Sequence, residues 1–142
     1  MTELGGRLLA AWVADDWLPW YRRRRRPASV RVRHGHLRNH ILPRWGDRRL
    51  NQIGGAEVQR WHGDLEAGGL KPSTVKGIHA TFSAVLGRAV ALGLLGRNPL
   101  AGVTPPPKRG EEREPWTMAE AAAFVAAEDD PAWRLCWALL AA

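Results

Sequence analysis

The stretch from Pro72 to Leu92 carries the strongest constraint on the fold of this 142-residue chain. Its apolar residues recur at spacings of three and four, which places them on one face of an α-helix. Pro72 suits a first helical turn, and Gly93 suits the position just past a last one. The stretch therefore predicts a long helix with one buried face. We expect the following of its residues in the core: Val75, Ile78, Phe82, Val85 and Leu86.

Helical periodicity also marks three earlier segments, whereas the sustained alternation of a strand is missing from the sequence. The predicted helices cover residues 3–18, 28–42 and 55–67. Pro19 is expected to end or kink the first helix, and Pro43 is expected to close the second. The fold class predicted is all-α. The tryptophans expected in its core are Trp12, Trp17, Trp45 and Trp61.

Charge divides the chain into two parts. Residues 1–110 contain 19 Lys or Arg against 7 Asp or Glu, whereas residues 111–142 contain 2 against 7. A basic part of this size suits a polyanion, most simply nucleic acid. The longest apolar runs fall short of the roughly 18–20 residues that cross a bilayer, and no export signal is visible. We therefore expect a cytoplasmic protein without a membrane partner.

Cysteine and histidine usage limits the chemistry of the chain. Cys136 is the single cysteine, which excludes an internal disulfide and is consistent with a reducing compartment. No Cys/His spacing matches a zinc site, so no metal and no cofactor is expected. His34 and His79 are interpreted as packing or surface residues.

The C-terminal part begins after a run of prolines. Pro105, Pro106 and Pro107 followed by KRGEERE have the composition of an extended linker. Next, TMAE forms a capping box in which Thr117 and Glu120 cap a helix expected to run to about residue 128. A second helix is predicted from residue 131, and the chain stops at WRLCWALLAA without a polar helix end.

At this point the chain resembles a known family. HLRNHILPRWGDRRLNQI, GLKPSTVKGIHATFSAVLGRAVALGLLGRNPLAGV and EPWTMAEAAAFVAA occur in the order found in tyrosine site-specific recombinases, the phage integrase family. The resemblance implies a four-helix core-binding (SAM-like) bundle, then a linker and the first two helices of a truncated catalytic domain. The implied boundaries are 1–104, 105–116 and 117–142. The implied partners are double-stranded DNA and, in the complete protein, other recombinase protomers.

The residues that perform catalysis in the family are missing from this chain. The family uses Arg, Lys, a His-x-x-Arg pair, a further His or Trp, and a C-terminal Tyr nucleophile that forms a phosphotyrosine intermediate. None of the five histidines has Arg three residues later, and the only tyrosine is Tyr21, near the N-terminus. No catalytic residue is assigned, and the 142 residues are expected to be inactive alone. In the family the last predicted helix leads into the first catalytic arginine, so the chain resembles an integrase cut before its chemistry.

Two groups of residues and the linker are candidate DNA contacts. A helix start offers free N–H groups to a phosphate, and a lysine there adds charge. The candidates are Ser73, Thr74 and Lys76 at the helix start, Arg22, Arg23 and Arg24 in the arginine run, and Lys108 and Arg109 in the linker. An exposed, solvated surface is the alternative reading of each. For the whole chain, the alternative function is a non-enzymatic DNA-binding regulator.

Overall fold

The computed structural model describes residues 6–107 and 117–127. In these two ranges the chain is helical, with one isolated pairing of Leu8 and Arg49 and no strand. This confirms the all-α fold class. The chain divides into two compact units, Met1–Arg109 and Gly110–Ala142. The predicted boundaries at residues 104 and 116 remain predictions.

Two long helical runs open the first unit, and each contains a π-helical segment. The first run consists of α1 (Leu9–Trp12), a π-helical segment (Val13–Trp17) and α2 (Leu18–Arg24). The second consists of α3 (Pro27–His36), a π-helical segment (Leu37–Ile41) and α4 (Leu42–Trp45). A short 3₁₀ turn (Leu50–Gln52), α5 (Gly55–Ala67) and α6 (Pro72–Ala91) follow.

The prediction that Pro43 closes the second helix was wrong, and of the two outcomes expected at Pro19, an end or a kink, the helix end does not occur. Both helices continue past the proline, because a wider π-helical turn comes just before it. The N–H of Leu18 bonds to the carbonyl of Val13, and the N–H of Leu42 bonds to that of Leu37, five residues back in each case. We attribute the continuation to this extra residue in the turn, which relieves the clash and lost hydrogen bond of a proline inside an α-helix.

Within the described residues, the first helical run begins inside the predicted range 3–18. It begins at Leu9, where the N–H of Leu9 bonds to the carbonyl of Arg48 at 2.9 Å. The N–H of Ala10 bonds to the carbonyl of Gly46 at 3.0 Å. The loop after the second run therefore satisfies backbone donors at the start of the first. The predicted start at residue 3 lies outside the described residues.

α5 and α6 agree closely with the predicted helices, and both end at a glycine with a left-handed backbone. Gly69 has φ 97° and Gly93 has φ 75°, and the N–H of the next residue reaches back five residues in both cases. This hydrogen bond pattern is a Schellman motif, which glycine forms without steric cost. Leu92, expected at the end of the apolar stripe, is 50% exposed because the helix ends just before it.

The core lies where the tryptophans and the apolar face of α6 meet. All five α6 residues predicted to be buried are fully buried. The four tryptophans are buried as well, each being at most 5% exposed. Phe82 is central: its ring lies 5.9 Å from that of Trp45 and 6.1 Å from that of Trp61. Trp12 ties the first run to α6, since its indole N–H donates to the carbonyl of Val85 at 3.2 Å. In the second unit, the described residues form α7 (Met118–Ala126).

The predicted capping box of α7 is confirmed. The N–H of Thr117 donates to Glu120 Oε2 at 2.9 Å, and the N–H of Glu120 donates to Thr117 Oγ1 at 3.3 Å. The N–H and the hydroxyl of Thr117 both donate to the carboxylate of Glu120, and these two bonds lower its pKa below the usual value. The second predicted helix of this part lies outside the described residues.

Candidate nucleic-acid interface

The start of α6 is exposed and basic, but it presents only part of the predicted set. Ser73 and Lys76 are exposed and lie three residues apart, on neighbouring positions of the helix surface. Thr74 is half-buried and lies two residues before Lys76, on the other side of the helix. The structure therefore brings Ser73 and Lys76 together and separates Thr74 from them.

Backbone donors at this helix start are fewer than expected. Lys71 caps α6 without a side-chain hydrogen bond, and Pro72 has no N–H. The N–H of Thr74 already donates to the carbonyl of Lys71 at 2.9 Å. The candidate anion ligands at this end are therefore mainly the ammonium of Lys76 and the hydroxyl of Ser73.

The small residues on the outer face of α6 accommodate other parts of the same chain. Asn98 donates from Nδ2 to the carbonyl of Ser83 at 3.0 Å, and Gly87 lies beside the same amide. Arg33 Nη1 donates to the carbonyl of Ala80 at 3.4 Å. The groups that lie against these small residues are therefore the side chains of Asn98 and Arg33. The open part of this face is the end that carries Lys76.

The arginine run divides between two sides of the molecule. Arg22, Arg23 and Arg24 are exposed and form the last turn of α2, where cations stabilise the carboxyl end of a helix. Arg22 lines a groove of about 330 Å³ between α2 and α3, together with Arg25, Pro27, Val30, Arg31 and His34. Arg24 instead lies over the ring of Trp20. Lys108 and Arg109 lie outside the described residues.

Carboxylates near these cations are few. Within the described residues, the ion pairs join Arg7 to Asp15 at 2.7 Å, Arg7 to Asp16, and Arg48 to Glu57 at 3.7 Å. None of the described DNA-contact candidates forms an ion pair. Their charge is therefore available to an anion from outside the chain.

Sequence reasoning missed Arg33, Arg88 and Trp20. Arg33 reaches α6 from α3, and Arg88 stands over the Trp20 ring at 4.4 Å. These contacts join residues that are far apart in the sequence, so no spacing along one helix reveals them. Their charge and aromatic character were the only signals available.

A larger groove, of about 990 Å³, lies between the start of α5 and the loop after α6. Among its described lining residues only Arg97 is charged. No group of three His, Cys, Asp or Glu side chains in residues 6–107 and 117–127 is placed to hold a metal ion. Of the helices described, none has both the length and the apolarity for crossing a bilayer.

Comparison with protein families places this geometry in context. Residues 12–65 match the model of the phage integrase N-terminal SAM-like domain. This segment therefore resembles the N-terminal SAM-like domain of phage integrases. The match extends from Trp12 in the first helical run into α5, and it includes the arginine run. A phage integrase N-terminal domain implies a DNA-binding role in recombination.

The phage integrase match stops before α6, so Ser73 and Lys76 lie outside it. No curated protein and no solved structure matches the chain significantly. The assignment of individual DNA-contact residues therefore depends on the geometry of this chain alone.

Proposed function

We propose that the helical unit described by residues 6–107 binds the backbone of duplex DNA as the N-terminal domain of a tyrosine site-specific recombinase. The observation that carries the proposal is that the family-matched segment bears exposed arginines that have no carboxylate partner among the described residues. Residues 1–110 hold 19 basic against 7 acidic side chains, which favours a polyanion.

The proposed contacts are with phosphate, and they carry little sequence information. Lys76 and Ser73 present an ammonium and a hydroxyl, which are typical phosphate ligands. Arg22, Arg23, Arg24, Lys108 and Arg109 add charge along the same chain. Binding through such contacts releases counterions from DNA, so its affinity falls steeply as salt rises.

The complete protein, in this proposal, breaks and rejoins DNA through a phosphotyrosine intermediate and acts with other protomers. The 142 residues do not supply the nucleophile. Their single tyrosine, Tyr21, is 7% exposed and its ring stacks on that of Trp17 at 4.7 Å. A buried, stacked phenol cannot reach a phosphodiester, so we expect this chain alone to bind DNA without cleaving it.

A titration of labelled duplex DNA at two salt concentrations tests the proposal, with a denaturing gel for covalent adducts. We expect a dissociation constant of about 10⁻⁴–10⁻⁶ M at physiological salt, tighter at low salt, and no adduct. Lys76→Glu should weaken binding to every duplex sequence. Arg97→Glu, which changes the charge equally beyond the far end of α6, is the matched control.

Three outcomes would contradict the proposal. They are no binding at low salt, an affinity that is independent of salt, and a covalent product between this chain and DNA. Equal loss of affinity in Lys76→Glu and Arg97→Glu would remove Lys76 from the interface, because only the net charge would then matter.

A further inference from the structure

Three arginines from three different helices lie over the rings of two consecutive aromatic residues, Trp20 and Tyr21. Arg24 and Arg88 place their guanidinium carbons 5.5 and 4.4 Å from the centre of the Trp20 ring. Arg33 places its own 5.3 Å from the ring of Tyr21. We call Arg24, Arg33 and Arg88, with these two rings, the arginine–aromatic cluster.

The cluster concentrates positive charge without neutralising it. None of its three arginines forms an ion pair within the described residues. Arg24 and Arg88 lie over the same ring. Cations held this close repel one another, and the face of an aromatic ring offsets only part of that repulsion. A bound anion would offset the rest of this repulsion.

The aromatic rings also orient the guanidinium groups. A guanidinium that stacks on a ring keeps the N–H groups at its edge free for a bidentate acceptor such as phosphate. A second contact holds Arg33 in place: its Nη1 donates to the carbonyl of Ala80 at 3.4 Å. Side chains held in this way lose less entropy on binding than free ones.

The position of the cluster connects it to the start of α6. Arg33 contacts α6 at the carbonyl of Ala80, one helical turn beyond Lys76. Arg88 follows Lys76 by twelve residues, a rise of about 18 Å. Phosphates on one DNA strand succeed one another at about 3.4 Å of axis, so one duplex is long enough to reach both ends.

We propose that the arginine–aromatic cluster is a second phosphate-binding site for duplex DNA, distinct from Lys76 and Ser73. The inference rests on the proposed function and adds Arg33, Arg88 and Trp20 to the interface. Tyr21 is buried and Trp20 is half-buried, so the rings position the arginines and do not stack on bases. The contacts are with the backbone and are independent of sequence.

The groove on the other flank of α3 provides a matched control. Arg31 lines that groove and lies two residues from Arg33, on the opposite side of the helix. Arg31→Gln and Arg33→Gln therefore remove the same charge from the same helix on different flanks. Arg97→Gln serves as a control in a distant loop.

The experiment is a titration of the full chain with labelled duplex over a range of salt concentrations. Arg33→Gln and Arg88→Gln should each weaken binding several-fold. Each should reduce the slope of log K against log salt by about 0.9, the value for one lost phosphate contact. Arg31→Gln and Arg97→Gln should leave that slope unchanged.

Two variants separate positioning from charge. Trp20→Leu keeps the net charge and the apolar contact but removes the ring under Arg24 and Arg88, so we expect weaker binding. Arg88→Lys keeps the charge and loses the planar group, and it should bind less well than the parent. Arg88→Lys still tests the cluster if Trp20→Leu does not fold. The urea midpoint of each variant shows that its fold is intact.

The outcomes distinguish this inference from the proposed function. If the parent chain does not bind duplex at low salt, the proposed function fails. If the parent binds and Lys76→Glu weakens it, but Arg33→Gln and Arg88→Gln behave like Arg97→Gln, the cluster is overturned alone. Loss confined to Arg31→Gln would place DNA on the other flank of α3 and would also overturn the cluster.

Discussion

The imidazole rings of His62 and His79 meet edge to face at the interface of α5 and α6, with their centroids 5.2 Å apart. His62 is 1% exposed, and neither of its ring nitrogens has a hydrogen-bond partner among the described residues. Burial, and then the neighbouring His79, lower the pKa of His62 to about 4. Burial also lowers the pKa of His79. The pair is therefore neutral at physiological pH, as expected for packing residues.

Stability should fall as the pH decreases from about 6.5 toward 4. In that range the unfolded chain binds a proton at His62 and the folded chain does not, so protonation favours unfolding. Above pH 6.5 both states are neutral and the effect vanishes. At pH 5 we expect His62 to cost about 2 kcal/mol relative to pH 7.5, from about 1.4 kcal/mol for each pH unit. Urea unfolding at the two pH values measures it.

His62→Leu is the matched variant for this effect. It removes two buried unpartnered nitrogens, so stability at pH 7.5 should be equal or higher. The drop between pH 7.5 and 5 should shrink by most of the expected 2 kcal/mol. A variant that keeps the full drop would show that other groups cause it.

Phe82→Ala should destabilise the first unit by about 3–5 kcal/mol, because it removes the ring between Trp45 and Trp61 and leaves a cavity. Denaturant unfolding followed by tryptophan fluorescence measures the loss. Val32→Ala shortens a side chain that is 58% exposed and should change stability by less than about 0.5 kcal/mol. An unchanged midpoint in Phe82→Ala would contradict its central position in the core.

The periodicity of the sequence was sufficient to predict this core and the bounds of α5 and α6. The apolar stripe of α6 depends on local spacing, and a stripe of that length has few alternatives to a buried helix face. The continuation of the first two runs through Pro19 and Pro43 was not predictable in this way. It depends on π-helical turns, which leave no recognisable pattern of residue types.

The candidate interface was predictable in charge but not in arrangement. The sequence shows Lys76 and the arginine run, and the family resemblance suggests DNA. Which side each arginine faces depends on tertiary contacts: Arg24 stacks on Trp20, whereas Arg22 lines the groove with Arg31. Such contacts join separate helices, and single-chain spacing carries no information about them.

Gln59 should determine how firmly the backbone around Thr104 is held. Its amide bonds twice to the backbone of Thr104: Nε2 donates to the carbonyl at 3.1 Å, and Oε1 accepts from the N–H at 3.0 Å. Gln59→Ala removes both bonds, and Gln59→Glu keeps the acceptor alone. We expect proteolysis near residue 104 to be fastest in Gln59→Ala, slower in Gln59→Glu and slowest in the parent. Equal rates would show that the prolines after Thr104 already hold the segment.

The last prediction compares two helical glycines. One has room for a methyl group and the other does not. A Cβ at Gly35, in α3, would meet no atom of the described residues within 4 Å, so Gly35→Ala should stabilise the protein by about 1 kcal/mol through helix propensity. A Cβ at Gly77, in α6, would lie 3.1 Å from Cε1 of His36. His36 is bonded through Nδ1 to Thr81 Oγ1 at 2.9 Å, so moving the ring weakens that bond between α3 and α6. We therefore expect Gly77→Ala to gain nothing or to lose about 1 kcal/mol. Thermal unfolding of the two variants beside the parent measures the difference. Equal stabilisation by both would show that α3 and α6 are not packed closely at Gly77.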